Sequence, residues 1–171
     1  GDRSAASLAG LGALVAEHGD VALLEVSPPT DAPGVTVASQ DLGVQMVATR
    51  LTAGPAPDFE IIPLGDADAP EMLALATLTR PGPFFDRTHQ LGDFLGVRIE
   101  GQLVAMAGER MKPLGFTEVS GVCTHPDHRG RGYAGALMRL VAARILDHGE
   151  TPFLHAYASN RGAIALYETR G

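Results

Sequence analysis

The chain has 171 residues, of which 45% are hydrophobic and 19% charged, enough apolar material for a sizeable core and an argument against general disorder. Its net charge of −7 speaks against a nucleic-acid partner, because binding to a phosphate backbone rests on Lys and Arg contacts. Cys123 is the only cysteine and no run approaches the roughly 18 apolar residues of a membrane span, so neither an internal disulfide nor a membrane partner is expected, and a reducing, cytoplasmic setting is.

Residues 4–18 carry Leu8, Leu11, Leu14 and Val15 at helical spacing, and Gly19 is placed to end the helix. The same stretch holds Glu17 and His18 and lacks a basic leader, so it reads as a helix of a soluble domain rather than a signal peptide. Gly1 rather than a methionine opens the chain, which leaves room for residues upstream. "DVALLEV" (20–26) reads as a strand stopped by Pro28 and Pro29, and "GVTVAS" (34–39) and "LGVQMVAT" (42–49) as two more, giving a small αβ unit. "TAGPAPD" (52–58) has the composition of a linker. The expected organisation is an N-terminal unit over 1–53 and a main domain over 54–171.

In the main domain, "FEIIPL" (59–64) predicts a strand and 68–79 a helix, with Asp68 as N-cap and Pro70 in its first turn. "RPGPFFDRTHQ" (80–90) is irregular, and a short helix is expected within 89–95. Residues 96–111 read as a hairpin turning at Glu100-Gly101, and "GFTEVSGVCT" (115–124) as a further strand. A helix then runs from Tyr133 to about His148, with Gly149 as C-cap, followed by a strand in "TPFLHAYAS" (151–159) and a helix opened by Asn160.

The segment "HPDHRGRGYAGALMRLV" (125–141) places glycines and arginines between a strand and an amphipathic helix. Ala134, Leu137, Met138, Val141 and Ile145 form one stripe that must pack on the sheet. The helix N-terminus then presents unpaired N–H groups and the positive end of the helix dipole. Gly130 and Gly132 leave those amides approachable, and Arg129 and Arg131 add positive charge, an arrangement suited to phosphate or pyrophosphate. A plain turn before a helix is the bland alternative. Gly130, Gly132 and Gly135 also match a dinucleotide fingerprint, but the next strand ends without the acidic residue that should lie about 20 positions on, and an antiparallel hairpin precedes the unit.

From Phe59 to Gly171 the chain resembles the GCN5-related N-acetyltransferases, the GNAT superfamily. Arg129-Gly130-Arg131-Gly132-Tyr133-Ala134 fits that family's acetyl-CoA signature, and "NRGAIALYETRG" (160–171) fits its second element, an asparagine opening a helix that carries a tyrosine. The whole sequence is similar to the FR47-like branch, whose members carry a degenerate N-terminal half. The resemblance implies an α/β (α+β) fold: a mixed, mostly antiparallel sheet splayed at a parallel strand pair, helices on both faces, preceded by the small αβ unit. It implies acetyl-CoA as acyl donor and a primary amine of a small molecule or peptide as acceptor. Pantetheine would lie in the splay against the backbone of Val122, Cys123 and Thr124, with pyrophosphate on the amides from Arg129 to Ala134, Tyr133 included.

The same resemblance assigns catalysis to Glu118 as base and Tyr167 as the proton donor to the departing sulfur, with Asn160 as a pantetheine contact and helix cap. Alternation puts Phe116, Glu118, Ser120 and Val122 on one face, unless a bulge at Gly121 switches the faces; Glu109 is the reserve base. A solvated strand carboxylate is the alternative for Glu118, and an aromatic packing the last helix for Tyr167. The Cys123 amide is a candidate to polarise the thioester carbonyl, while its thiol reads as a small buried hydrophobe rather than a nucleophile. His125, His128 and His155 match no standard zinc spacing, so no metal is expected; His125-Pro126 instead turns the chain into the loop.

Members of the family continue beyond the tyrosine helix with strands that finish the sheet, so the strand over 151–159 is expected to show an open edge, and a further segment or another chain to cover it. Competing functions are a non-catalytic acyl-CoA sensing module and, more remotely, the dinucleotide binder. The N-terminal unit is expected either to pack on the catalytic half or to mediate a homodimer.

Overall fold

A computed structural model describes residues 3–27 and 31–168, which fall into two compact units, 1–41 and 42–171. Among its described residues the first unit holds one helix, α1 (Ala5–His18). Ser4 caps it by accepting the Ser7 N–H at 3.2 Å, and Gly19 ends it in a left-handed conformation, its N–H on the Val15 carbonyl. The strands expected over 20–26 and 34–39 do not form. Both stretches are irregular and leave Leu24, Val26 and Val37 exposed, with no ladder partner among the described residues to satisfy a strand's backbone. Pro28 and Pro29, the expected strand stop, lie outside the described residues.

The third expected strand does form but belongs to the second unit. The division falls between Asp41 and Leu42, not in the 52–58 segment as expected, because β1 (Gly43–Val47) is a strand of the main sheet. That sheet adds β2 (Ile62–Leu64), β3 (Phe94–Ile99), β4 (Gln102–Glu109), β5 (Phe116–Thr124) and β6 (Thr151–Tyr157), in the order β1-β6-β5-β4-β3-β2. Every neighbouring pair is antiparallel except β5 and β6. β1 lies along β6 from Gly43↔Tyr157 to Val47↔Phe153, so the edge expected to lie open is paired. The β3–β4 hairpin turns at Glu100 and Gly101, both at positive φ (50° and 84°), as a two-residue turn matched to strand twist requires.

Two helices cover opposite faces. α3 (Tyr133–Asp147) buries Leu137, Met138, Val141 and Ile145 against Leu95, Val97, Ala105, Ala107 and Val119. α2 (Ala69–Thr79) packs Met72, Leu75 and Ala76 on Phe94, Leu103, Met106 and Cys123. Burial of side chains of this size stabilises by about 1.5–3 kcal/mol each, which fixes both helices to the sheet. Asp68 precedes α2 without capping it through its side chain. Its carboxylate instead accepts the Gly65 N–H at 2.9 Å and the Arg98 guanidinium at 2.6 Å. The short helix expected within 89–95 is a 3-10 turn over Thr88–Leu91. The last helix, α4 (Arg161–Glu168), follows β6.

β5 and β6 pair only from Phe116↔Thr151 to Glu118↔Phe153. Beyond that point β5 runs on to Thr124 and β6 to Tyr157 without a ladder between them, so a gap opens in the middle of the sheet. Its closed end is at Glu118 and Phe153. Its open end leads into the loop before α3.

Candidate active site

The gap is lined on one side by an irregular strand. Between Met106↔Cys123 and Gly108↔Ser120 the register slips, so β5 carries one residue more than β4. The extra residue sits at Gly121, whose φ of 63° and whose missing Cβ, 2.9 Å from the Phe94 ring, both call for glycine. Beyond the bulge, the His125 N–H donates to the Val104 carbonyl. Alternation from that bond turns the Cys123 backbone toward β4 as well, and turns Val122 and Thr124 toward the gap. The Cys123 amide, a sequence candidate for the thioester carbonyl, therefore faces β4, while the Val122 backbone faces the gap.

At the open end, a 3-10 turn (Pro126–His128) is capped by the His125 ring, whose Nδ1 accepts the Asp127 N–H at 3.3 Å. Gly130 and Gly132 follow in left-handed conformations (φ 77° and 82°), and Gly132 is the N-cap of α3. A Cβ on either glycine would meet nothing within 4 Å, so the space above them is open. Among the described residues, the N–H groups from Gly130 to Gly135, Arg131, Tyr133 and Ala134 included, make no hydrogen bond. Those free donors, the dipole of a 15-residue helix and the exposed Arg129 and Arg131 converge at one place. They fit a diphosphate.

At the closed end the side chains take over. Glu118, 1% exposed, receives Arg110 through Nε to Oε2 at 2.9 Å and through Nη2 to Oε1 at 3.0 Å. His155 Nδ1 lies 2.8 Å from the same Oε1. Burial opposes ionisation of Glu118, but the hydrogen bonds from Arg110 and then His155, with their charges, outweigh it and hold the carboxyl below its ordinary value. The bulge explains its direction: Glu118 shares the α2 face with Cys123 beyond the slip. The sequence candidate for a free base is thus a locked carboxylate. Glu109, the reserve, is buried and bonded to Lys112 at 2.7 Å.

Tyr167, on α4, packs against the core under α3 and lines an apolar pocket with Val119, Met138, Phe153 and Leu154. Burial, and then the neighbouring Cys123, push its phenol above the usual value, so it keeps its proton at neutral pH. Burial likewise pushes the Cys123 thiol up to about 11, which leaves it a neutral packing group. Asn160 stands directly before α4: its N–H donates to Tyr157 and its carbonyl accepts from Ile164. Among the described residues, no group of His, Cys, Asp and Glu could hold a metal ion, and no helix is long and apolar enough to cross a membrane.

Arg110 and His155 are the two site residues that sequence reasoning missed as such. Nothing near either in the chain marks them; only the pairing of β4, β5 and β6 brings them to Glu118.

The comparisons with known proteins agree with this geometry. A family model described as FR47-like protein matches residues 94–171. A crystal structure of a GNAT-family protein from Novosphingobium aromaticivorans is 50% identical over 85% of this chain, with a TM-score of 0.75. The chain belongs to the GNAT family. It spans 65% of the length of that protein. The GNAT fold also recurs at lower identity. The ribosomal-protein-S18-alanine N-acetyltransferase from Escherichia coli is 23% identical, with a TM-score of 0.56 over 64% of this chain and 74% of its own. A GNAT-family acetyltransferase from Colwellia psychrerythraea is 15% identical, with a TM-score of 0.62 over 76% of this chain and 51% of its own. Among curated proteins, none matches in sequence. The dinucleotide reading is overturned by the sheet itself, which among the described residues offers no parallel array beyond the single β5–β6 pair.

Proposed function

We propose that this GNAT chain is an N-acetyltransferase that moves an acetyl group from acetyl-CoA directly to a primary amine. The observation that carries this is the unpaired amide row from Gly130 to Gly135, set at the open end of the gap between β5 and β6. In this reading the diphosphate rests on those amides and on Arg129 and Arg131, and the pantetheine arm runs down the gap along Val122 and Thr124. The strand edge there offers donors and acceptors as it would to another strand. Asn160 meets the arm from the opposite wall.

The arm's far end then reaches the bulge. There the Val122 N–H polarises the thioester carbonyl and stabilises the oxyanion that forms on it. Tyr167, held protonated, gives its phenolic proton to the sulfur as the C–S bond breaks. Cys123 takes no covalent part, since a thiol with its proton held so firmly is a poor nucleophile.

The locked state of Glu118 favours a second reading, an acyl-CoA binding module without turnover, because the carboxylate aligned with the family base is already occupied. One experiment separates the two. Acetyl-CoA binding is measured by calorimetry, and thiol release is followed with a panel of polyamines, lysine esters, arylalkylamines and peptides with free N-termini. Binding with turnover on any of these supports the transferase. Binding without turnover on all of them supports the module, and no binding removes both.

A further inference from the structure

His155 lies on β6 just past Phe153, the last residue of that strand paired with β5. Leu154 points into the core under α3, so alternation puts His155 on the other face, with the Phe153 ring edge-on at 5.6 Å. It is therefore the first side chain on that face beyond the closed end of the gap. Its Nδ1 contacts Glu118 at 2.8 Å. Arg110 straddles the same carboxylate with two donors and hands a third, Nη1, to the Pro83 carbonyl at 3.3 Å.

This geometry decides the tautomer. A carboxylate that already accepts two guanidinium hydrogen bonds offers only lone pairs, so the proton in the short contact belongs to Nδ1. In the neutral ring Nε2 then carries the lone pair. Nε2 makes no hydrogen bond among the described residues, and the imidazole retains 24% of its surface. The charged groups that face the ring are Glu118 from β5 and, behind it, Arg110 from the end of β4. β1 places the uncharged Gln45 in register with it, and its own strand places Phe153.

We infer that His155 Nε2 is the proton acceptor for the amine at this site, that Glu118 is its positioning residue, and that Arg110 fixes Glu118 in turn. The inference rests on the transferase reading above. The step balances as follows. An ammonium nitrogen gives one proton to Nε2, and its freed lone pair forms the C–N bond at the thioester carbon. The C–S bond breaks with its electrons going to sulfur, which takes the Tyr167 proton. The second proton leaving nitrogen restores the phenol, and His155 passes its own to water. Glu118 itself gains no proton at any stage, which suits a carboxylate pinned by Arg110.

Two arms test this. In the first, a long-range proton–nitrogen correlation spectrum of the wild-type protein, with the His155 signals assigned by their loss in H155Q, reports the ring tautomer. The expected result is Nδ1–H with a bare Nε2; an Nε2–H tautomer overturns the proposal. In the second, H155N keeps a donor toward Glu118 but has no base. Its affinity for acetyl-CoA is expected to stay within twofold. Its kcat with an amine the wild type acetylates should fall on the order of 100-fold or more, and the acid limb of the kcat–pH profile should disappear. A kcat and profile equal to wild type overturn His155 while leaving the transferase standing. A wild type that binds acetyl-CoA and acetylates no amine overturns the function, and His155 with it.

Discussion

The two ends of the gap are built by different means. At the open end the chemistry is main chain: a contiguous loop, two glycines in left-handed conformation and a helix N-terminus hold free amides in one place. At the closed end it is side chain: Arg110, Glu118 and His155 come from or beside three strands and meet only because β5 sits between β4 and β6. A site made of consecutive amides tolerates changes of side chain but not of backbone conformation. A site made of a buried ion pair and a ring is the reverse. Each end can therefore be broken by a substitution that leaves the other intact.

The largest expected effect is at the closed end. E118Q leaves the Arg110 guanidinium, 19% exposed, beside a neutral amide, and breaking a buried pair from one side costs about 3–5 kcal/mol. Urea unfolding should show that loss, and the R110M/E118L pair should recover much of it, since two apolar groups leave no charge unpaired. A loss under about 1 kcal/mol, the ordinary value of a surface pair, would show the cluster to be solvated. The pH dependence has a definite sign. The folded-state carboxyl is held below its ordinary value of 4.5, so its contribution is complete above that value and lost as pH falls through the lower, folded one. The gap in stability between wild type and E118Q should therefore be flat near neutrality and close only on acidification below about pH 4.5.

The next largest is at the open end. G132V forces a β-branched residue into φ 82°, a conformation such residues rarely adopt, and lays a side chain over the amide row. Affinity for acetyl-CoA should fall on the order of 100-fold by calorimetry, the equivalent of one or two charge-assisted hydrogen bonds. Wild-type affinity in a folded G132V protein would mean that the diphosphate is held elsewhere. H155N belongs to the opposite class: affinity kept, turnover lost.

This contrast also explains what could be read without coordinates. The hairpin at Glu100-Gly101, the stripe of α3 and the glycine-arginine loop are all local, and period and turn chemistry mark them. The bulge at Gly121 was visible as one glycine in a strand, though not which way Glu118 would point. β1 was legible as a strand but not as a partner of β6, because a short alternating run does not say which edge it will join. The stretches over 20–26 and 34–39 have the composition of strands and lack the ladder, so tertiary context decided against propensity. His155 was hidden for the same reason as Arg110: its meaning lies in a contact with a residue 37 positions away.

The smallest effect comes from a cluster of the same chemistry in another place. Arg98, near the β3–β4 turn, binds Asp68 at 2.6 Å and Glu71 at 2.9 Å, and Glu71 also accepts the Leu103 N–H at 3.3 Å. Here too the carboxyls are held below their ordinary values, Asp68 first by the Gly65 amide and then by Arg98, Glu71 first by Arg98. Yet Glu71 is 48% exposed and Arg98 25%, so water screens most of the attraction. R98M should cost no more than about 1 kcal/mol in urea unfolding, the range of exposed pairs, and should leave acetyl-CoA affinity and turnover as they were. The two clusters share an arginine gripping carboxylates with short bonds, so those bonds do not make a site. What separates them is burial, an unpaired ring nitrogen and a place at the end of the gap. If R98M instead lost as much stability as E118Q, burial would not be the distinction, and only His155 would set the closed-end cluster apart.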